Sequence, residues 1–400
     1  MRIYHCVPNS YIENFLNFVK GGTKKNDRGE RKKIYFLTFM LIFFVFLLAL
    51  AYFGLMFYLW RGLLSEPRLK EFEKLPDISV IIPMRNEEAF IEATLNALKE
   101  QKYDGRWEII VVNDRSTDKS PEIAREFCAN HRNFSVIDIP QDSPQIASPK
   151  KRAMNAGFSA AKGEFLLTAD ADCVPPPNWL NSMATCYASG ASVVQGSKAN
   201  NGGNSFLHAY QRLETLGFTV IEAAGFNRNK PILASSASIG YSKELFFKCG
   251  GFEGLYDLAS GDDDMLIHRM AKIEGTKFAY NWDPSSIMPT APVDSWKALL
   301  LQRARWGSNG AKYESKAYSA FLFCIYAFFV SLCVLPWIEW RIFLCFFAIK
   351  LLSDFLLLYR GAIRLKSVKL LWCLPFVELI QIPLFTAAVP LGMLGWYKWK

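Results

Sequence analysis

The sequence predicts an α/β fold with a mostly parallel sheet, flanked by transmembrane helices. Between residues 77 and 174, short runs of β-branched and other apolar residues alternate with helical patterns, as in consecutive βαβ units. Residues 34–60 contain no charged side chain, and this run is longer than one bilayer crossing requires. Three more apolar stretches close the chain, so we expect the α/β region to be tethered to a membrane at both ends.

Composition favours a membrane protein and argues against one that binds nucleic acid. Of the 400 residues, 51% are hydrophobic and 15% are aromatic, which exceeds the balance of most soluble proteins. The net charge is +9, but the basic residues lie beside the apolar stretches, as they do at membrane flanks. The sequence has no zinc-finger or RNA-binding signature, so no nucleic-acid partner is expected. Nine cysteines form no CxxC pair and indicate reduced thiols in a cytosol-facing protein.

The first half of the α/β region is predicted as alternating strands and helices. The predicted strands are 78–82, 108–114, 134–138 and 163–167, with a further apolar run at 192–195. The predicted helices are 85–98, 121–130, 153–161, 206–223, 265–270 and 295–305. The carboxyl ends of parallel strands share one edge of a sheet, where open α/β folds bind ligands. We therefore interpret residues 77–174 as a nucleotide-binding half.

Two carboxylates, Asp170 and Asp172, stand where the fourth predicted strand ends. An Asp-x-Asp pair supplies hard oxygen ligands that suit Mg²⁺ or Mn²⁺ carrying a diphosphate. A solvated acidic turn, or a helix N-cap before Pro175, explains the same triplet without a ligand. Motifs farther along the chain favour the metal-site interpretation.

Composition divides the chain into five segments. They are a basic N-terminal segment (1–33), a transmembrane helix (34–60), a linker (61–76), the α/β domain (77–310) and a C-terminal membrane region (317–397).

The three C-terminal apolar stretches differ from one another. Residues 317–338 are uncharged and are predicted to span the bilayer. Residues 342–359 contain Lys350 and Asp354, which are one helical turn apart and are expected to form a local ion pair facing other helices. Residues 370–397 contain Glu378 and three prolines, so this stretch is expected to be broken, re-entrant or interfacial.

The basic residues give two conflicting indications of orientation. Four basic residues between 360 and 369 outnumber Arg341 across the third apolar stretch, which places residues 61–316 in the cytoplasm. The basic cluster at 24–33 instead places the N-terminus in the cytoplasm, which is incompatible if residues 34–60 span once. We adopt the first orientation, because a domain that uses nucleotides needs cytosolic substrate.

Several motifs in order resemble those of the family 2 glycosyltransferases, in particular the membrane-embedded cellulose, chitin and hyaluronan synthase-like branch. The motifs are 79–87 (SVIIPMRNE), 111–118 (VVNDRSTD), 151–157 (KRAMNAG), 170–172 (DAD), 250–252 (GGF), 262–264 (DDD) and 302–306 (QRARW). The resemblance covers about residues 77–310. It implies a GT-A fold, which is Rossmann-like, and transfer of a sugar from a nucleotide-diphosphate sugar.

The resemblance assigns the donor-side roles residue by residue. Asp172 is expected to coordinate Mg²⁺ or Mn²⁺ against the diphosphate, while Asp170 contacts the sugar-nucleotide. Asp114 is expected to accept hydrogen bonds from the base, next to the backbone around Pro83 and Glu87.

One basic residue of the 151–157 motif is expected near the donor phosphates. We assign this role to Lys151, with its neighbours Lys150 and Arg152 fitting almost as well. A solvated basic helix start explains the same run without a ligand.

The acceptor hydroxyl must lose a proton as it attacks C1, so a carboxylate base is required. The family pattern acid-Asp-x-x-Leu places this base at Asp263, with Asp262 and Asp264 as alternatives, and an aspartate-rich N-cap is compatible with it. On the same resemblance, Arg305 is expected to clamp the diphosphate, Trp306 to wall the acceptor site and Gln302 to orient it. The loops that select the sugar are expected around 195–204 and 235–240.

These expectations describe an inverting, metal-dependent enzyme that forms a β-glycosidic bond. Its expected partners are a nucleotide-sugar donor, a glycan or lipid acceptor and membrane lipid, and no partner subunit is indicated. The QRARW box favours a processive synthase, whereas single-sugar transfer to a lipid or lipid-linked acceptor is the alternative. Two alternative hypotheses concern other classes of protein, namely a catalytically inactive scaffold and a nucleotidyltransferase. We expect an integral protein of a bacterial plasma membrane, with the catalytic domain in the cytoplasm.

Overall fold

The computed structural model describes residues 28–65, 74–143, 146–258, 261, 263–308 and 312–397, without the side chains of 28–32 and 34. Most of the predicted N-terminal segment, much of the linker, and Asp262 therefore lie outside the described residues. The chain forms two units. Residues 1–48 are one unit, whose described part is helical. Residues 49–400 are the other unit, which contains every strand of the described chain.

Helices and strands alternate from Arg28 to Gly196, and the described part of the chain ends in four consecutive α-helices. The helices are α1 (Arg28–Gly62), α2 (Ile91–Lys99), α3 (Ser120–Ala129), α4 (Pro149–Ala160), α5 (Trp179–Ala188), α6 (Phe206–Asn227), α7 (Lys243–Lys248), α8 (Asp264–Met270), α9 (Trp296–Gly307), α10 (Lys316–Ile338), α11 (Trp340–Arg364) and α12 (Leu374–Met393). The strands are β1 (Ile78–Met84), β2 (Trp107–Asn113), β3 (Phe134–Asp138), β4 (Phe165–Thr168), β5 (Val193–Gly196), β6 (Lys198–Asn200), β7 (Ile239–Ser242), β8 (Phe278–Asn281) and β9 (Met288–Thr290).

The central sheet has seven strands in the order β3-β2-β1-β4-β7-β5-β8. All neighbouring pairs are parallel except those of β7, which runs antiparallel to both β4 and β5. The mostly parallel α/β sheet predicted from the sequence is therefore confirmed. Strand β7 lies so close to β4 that a Cβ atom at Gly240 would be 2.3 Å from the Phe165 ring, so this position requires glycine.

Strand β1 continues through Pro83 to Met84, although the sequence suggested that the proline ends it. Beyond Ile81, β1 pairs with β2 only, because β4 pairs with β1 no farther than that residue. A proline has no N–H to donate and is tolerated where one side of a strand is unpaired. The predicted helix at 85–98 begins late, at Ile91, because Asn86 has a left-handed φ of 56° and forms a turn.

Among the described residues, four helical stretches are long and apolar enough to cross a membrane by length and composition: Tyr35–Gly62, Lys316–Ile338, Trp340–Arg364 and Val368–Met393. The last begins with a 3-10 turn, Val368–Cys373, and then runs as the continuous helix α12 through Pro383 and Pro390. The irregular part of this stretch thus precedes the helix and does not interrupt it. The five-segment division of the chain remains a prediction.

An interhelical charge cluster joins three of these helices. The predicted pair is confirmed, since the Lys350 ammonium lies 2.7 Å from Oδ2 of Asp354. The same ammonium also contacts the Glu378 carboxylate of α12, and the Tyr52 hydroxyl of α1 donates a 2.7 Å hydrogen bond to Asp354. We name Tyr52, Lys350, Asp354 and Glu378 the interhelical charge cluster.

Candidate active site

The loops that follow β1 and β2 are hydrogen-bonded to each other at the carboxyl edge of the sheet. The backbone N–H of Glu87 donates to the Ser120 hydroxyl at 2.7 Å, and the Asn86 side chain accepts from the Thr117 N–H at 2.8 Å. The N–H of Asp114 donates to the carbonyl of Met84, one residue after Pro83. The structure therefore brings together the predicted base-binding elements.

Asp114 is almost fully buried beneath these loops. Its Oδ1 atom accepts hydrogen bonds from Arg152 at 2.6 Å and from Arg115 at 3.1 Å. Its Oδ2 atom is buried and has no hydrogen-bond partner among the described residues. A buried acceptor without a donor is costly, so this oxygen is suited to an N–H group of a ligand. Arg152 therefore forms an ion pair with Asp114.

Asp170 and Asp172 follow β4 at the same edge of the sheet. The Lys150 ammonium of α4 lies 2.5 Å from Oδ1 of Asp170, and it also donates to the Ser236 hydroxyl at 2.8 Å. Both carboxylates are half-buried. Lys150 is therefore a positively charged neighbour of Asp170.

The side chains after β4 fit a hard divalent cation. Ligand atoms of Asp170, Asp172 and Cys173 all lie within 4.8 Å of one another. Burial raises the pKa of the Cys173 thiol well above its ordinary range, so the thiol stays protonated. Its sulfur lies 3.8 Å from Oδ1 of Asp172, as a weak donor to that oxygen. The two carboxylates therefore supply the oxygen ligands that Mg²⁺ and Mn²⁺ prefer.

Lys151 occupies a different environment from the one the motif suggested. Its side chain is fully buried, and its ammonium donates to the carbonyls of Leu255 and Leu258 at 3.0 and 2.7 Å. These contacts hold the loop after the Gly-Gly-Phe turn against α4. Successive residues of a helix point about 100° apart, so Lys150 and Lys151 cannot face the same ligand.

We expect the two lysines to respond differently to substitution. Lys151→Met should lower the free energy of unfolding by about 1–3 kcal/mol, because two loop carbonyls lose a charged donor. Lys150→Met should leave the unfolding temperature close to that of the wild type, since its ammonium is at the open edge of the sheet. Thermal unfolding of both variants in detergent tests this assignment, and equal destabilisation would contradict it.

Asp263 is linked to Asp170 through two residues, Ser236 and Lys150. The backbone N–H of Ser236 donates to Oδ2 of Asp263 at 3.2 Å, while its hydroxyl accepts from Lys150. The carbonyl of Ser236 accepts a 2.8 Å hydrogen bond from Thr168, at the end of β4. The 3-10 turn Ser236–Ser238 thus joins the predicted metal site to the predicted base. Ser236 lies in a loop that the sequence marked only as a candidate specificity loop.

The neighbouring Asp264 has a structural environment. Its Oδ1 atom accepts from the N–H of Ala234 at 2.8 Å, and its Oδ2 atom from the Tyr313 hydroxyl at 3.4 Å. Burial, followed by the charge of Asp263, raises the pKa of Asp264 well above its ordinary value. Asp263 caps α8 by accepting from the N–H of Asp264 at 2.9 Å. Of these two aspartates, Asp263 is better suited to accept a proton.

The QRARW box lies on helix α9. Gln302 accepts a hydrogen bond from Arg303, which also forms an ion pair with Glu214 and lies 4.1 Å from the Trp306 ring. The Trp306 ring is 40% exposed, and Arg305 is half-buried. Arg303, which the sequence reasoning did not single out, therefore orients both Gln302 and Trp306. The sequence signal for this contact was the three-residue spacing of Arg303 and Trp306, because residues three apart are neighbours on a helix.

The sheet edge and its carboxylates define a class of protein. An aspartate at the end of β2, an Asp-x-Asp pair after β4 and a further aspartate at α8 on such a sheet are the arrangement of a GT-A glycosyltransferase. Residues 79–247 match the model described as "Glycosyl transferase family 2". Residues 79–247 therefore form a family 2 glycosyltransferase domain, as the sequence motifs indicated.

Two relatives of similar sequence are named as a glycosyltransferase and a polysaccharide synthase. The probable glycosyltransferase YdaM of Bacillus subtilis is 28% identical over 258 residues, which cover 62% of this chain and 58% of the relative. The poly-beta-1,6-N-acetyl-D-glucosamine synthase of Staphylococcus epidermidis is 24% identical over 245 residues, which cover 60% of this chain and 56% of the synthase. The chain thus spans a little over half the length of these relatives.

One solved structure shares the fold. The mannosyltransferase PcManGT from Pyrobaculum calidifontis, solved in complex with GDP-Man and Mn²⁺, covers 86% of this chain and 99% of its own length with a TM-score of 0.52. The sequence identity is 18%, so this likeness shows the fold alone.

Proposed function

We propose that the protein is an inverting glycosyltransferase that moves a sugar from a nucleotide-diphosphate sugar to a membrane-associated glycan or lipid acceptor. The observation that carries this proposal is the connection of Asp170 to Asp263 through Lys150 and Ser236. Sugar transfer needs a site for the donor diphosphate and a base in the same cleft. The polysaccharide synthase among the relatives supports the same reaction class.

The donor side of the reaction uses the carboxyl edge of the sheet. Asp114 accepts an N–H of the nucleobase through its Oδ2 atom, beside the backbone of Pro83 and Glu87. Asp172, assisted by Asp170, would hold Mg²⁺ or Mn²⁺, which would supply positive charge to stabilise the departing diphosphate. The Mn²⁺ in the mannosyltransferase of similar fold supports a divalent cation here.

The acceptor side uses Asp263. The acceptor oxygen bonds to C1 of the sugar, its proton passes to Asp263, and the bond between C1 and the diphosphate oxygen breaks. One displacement of this kind inverts the anomeric centre, so an α-linked donor gives a β-glycosidic bond. Trp306 offers an exposed aromatic face to the acceptor, with Gln302 to orient it, and Arg305 clamps the diphosphate.

The orientation we propose puts this domain in the cytoplasm of a bacterial plasma membrane. The Arg360 guanidinium lies 5.6 Å from the Trp60 ring, and that of Arg364 lies 4.9 Å from the ring of Trp282, next to β8. The basic end of α11 is therefore on the same side as the α/β domain. Because basic loops stay on the cytoplasmic side, this contact supports a cytoplasmic domain.

A second candidate is transfer of a single sugar to a lipid or lipid-linked acceptor. The described chain offers three long apolar helical stretches after α9, Lys316–Ile338, Trp340–Arg364 and Val368–Met393. Polymer export needs a lined path through several helices, whereas a single transfer needs only access to a lipid headgroup. The product distinguishes the two, as a ladder for a processive synthase and as one discrete glycolipid for the alternative.

The proposed activity is tested with purified protein in nanodiscs of bacterial lipid. A panel of nucleotide sugars is added with Mg²⁺ or Mn²⁺, and nucleoside diphosphate release is measured, with Asp263→Asn as the control. We expect release with one donor, abolished by EDTA and restored by added Mn²⁺. Release that is insensitive to EDTA would contradict the metal-dependent mechanism. The absence of binding to every donor would favour the inactive scaffold.

A further inference from the structure

Lys150 contacts one charged group, for which a bound cation would compete, and one uncharged group, for which it would not. Its ammonium lies 2.5 Å from the Asp170 carboxylate and 2.8 Å from the Ser236 hydroxyl. The lysine side chain is 20% exposed and that of Asp170 is 32% exposed, so both can adjust. Ser236 itself is 8% exposed and is fixed through its backbone to Thr168 and Asp263.

A divalent cation on the acidic pair competes with this ammonium. The carboxylate of Asp170 is a partner of Lys150 only while no stronger cation is bound, because two positive charges near the same oxygens repel each other. The Ser236 hydroxyl is uncharged, so a cation does not draw it away from the ammonium, and its hydrogen bond contributes more once the Asp170 carboxylate has turned to the cation. It is held in place by the turn, so it costs no reorganisation when Lys150 moves.

We propose that Ser236 is a positioning residue that holds Lys150 when a divalent cation displaces it from Asp170. Ser236 thereby aids metal binding without being a metal ligand. This inference rests on the proposed metal site of the glycosyltransferase. The inference goes beyond that site in one respect. The 3-10 turn Ser236–Ser238, which binds Asp263, would also hold Lys150 close to the donor phosphates.

The test measures Mn²⁺ binding by electron paramagnetic resonance, without sugar donor and therefore without turnover. Ser236→Ala should weaken Mn²⁺ binding about tenfold, because the displaced ammonium loses a charge-assisted hydrogen bond. Lys150→Met should strengthen Mn²⁺ binding, because no ammonium then competes for Asp170. The double variant should match Lys150→Met, since Ser236 acts only through Lys150.

The matched control is Ser235→Ala, the preceding serine of the same loop, which should bind Mn²⁺ like the wild type. Equal affinities of the wild type and Ser236→Ala would overturn the inference, as would a further loss of affinity when Ser236→Ala is added to Lys150→Met. Each titration is repeated with a nucleoside diphosphate present. A wild-type protein that binds Mn²⁺ in neither condition would overturn the metal site of the proposed function, a failure distinct from the other two.

Discussion

Replacing Asp263 by asparagine is expected to lower kcat/KM by about 10²–10⁴-fold, the usual contribution of a positioned general base. The asparagine amide cannot take the proton of the acceptor hydroxyl. Its carbonyl oxygen can still accept from the N–H of Asp264, so the cap of α8 and the fold are retained. Nucleoside diphosphate release and donor affinity are both measured, and donor affinity should be nearly unchanged.

Asp264→Asn is the matched control for this prediction. Burial and the charge of Asp263 raise the pKa of Asp264, which favours its neutral form, and asparagine is a neutral side chain of the same shape. Activity should therefore remain within about tenfold of the wild type. The reverse result, with Asp264→Asn inactive and Asp263→Asn active, would identify Asp264 as the catalytic base.

Folding stability gives an independent check on Asp264. Its pKa is raised in the folded state, so between about pH 4 and the folded value the native protein holds a proton that the unfolded chain has lost. This contribution to the free energy of unfolding is complete below about pH 4 and decreases as the pH rises to the folded pKa. Asp264→Asn should remove that decrease.

The first four strands were predictable because local sequence determines them. Runs such as 134–138 are β-branched or aromatic and are bounded by polar turns, and the structure has β3 at Phe134–Asp138. Strand β7 was not predicted, because Ile239–Ser242 is short, contains Gly240 and is followed directly by a helix. Its pairing with β4 and β5 depends on distant parts of the chain, which no local pattern encodes.

The site residues that directly follow a strand were predictable from the sequence. A residue supplied by a loop distant in sequence was not. Asp114, Asp170 and Asp172 each follow a strand of the same sheet edge, so their proximity follows from topology. Ser236 reaches Lys150 across 86 residues of sequence, and no spacing rule relates the two. The choice between Lys150 and Lys151 depends on the rotation of α4, which the basic run itself does not fix.

The interhelical charge cluster shows the same distinction. Lys350 and Asp354 are four residues apart, so their pairing was predictable from helical geometry. Glu378 and Tyr52 lie on two other helices, and only packing brings them to the same place. The cluster therefore ties α1, α11 and α12 together by charge and hydrogen bonding.

Lys350→Met is expected to give the largest loss of stability, about 3–5 kcal/mol. The lysine is buried, and its removal leaves the carboxylates of Asp354 and Glu378 facing each other without a cation. Thermal unfolding in detergent, followed by tryptophan fluorescence, measures the loss. An unfolding temperature equal to that of the wild type would show that the ammonium does not compensate these carboxylates.

The control removes the whole cluster at once, as Tyr52→Phe, Lys350→Met, Asp354→Leu and Glu378→Met together. Replacing all members of a buried charged group by apolar side chains of similar volume is often neutral, because no charge or hydrogen-bonding group is left unpaired. We therefore expect this fourfold variant to recover most of the stability that Lys350→Met loses. Recovery together with weakened sugar transfer would mean that the cluster fixes how α11 packs against α12 beside α9, since Gly392 of α12 lies against the Ala304 carbonyl two residues from Trp306. Recovery with full transfer would mean that apolar packing alone sets that arrangement.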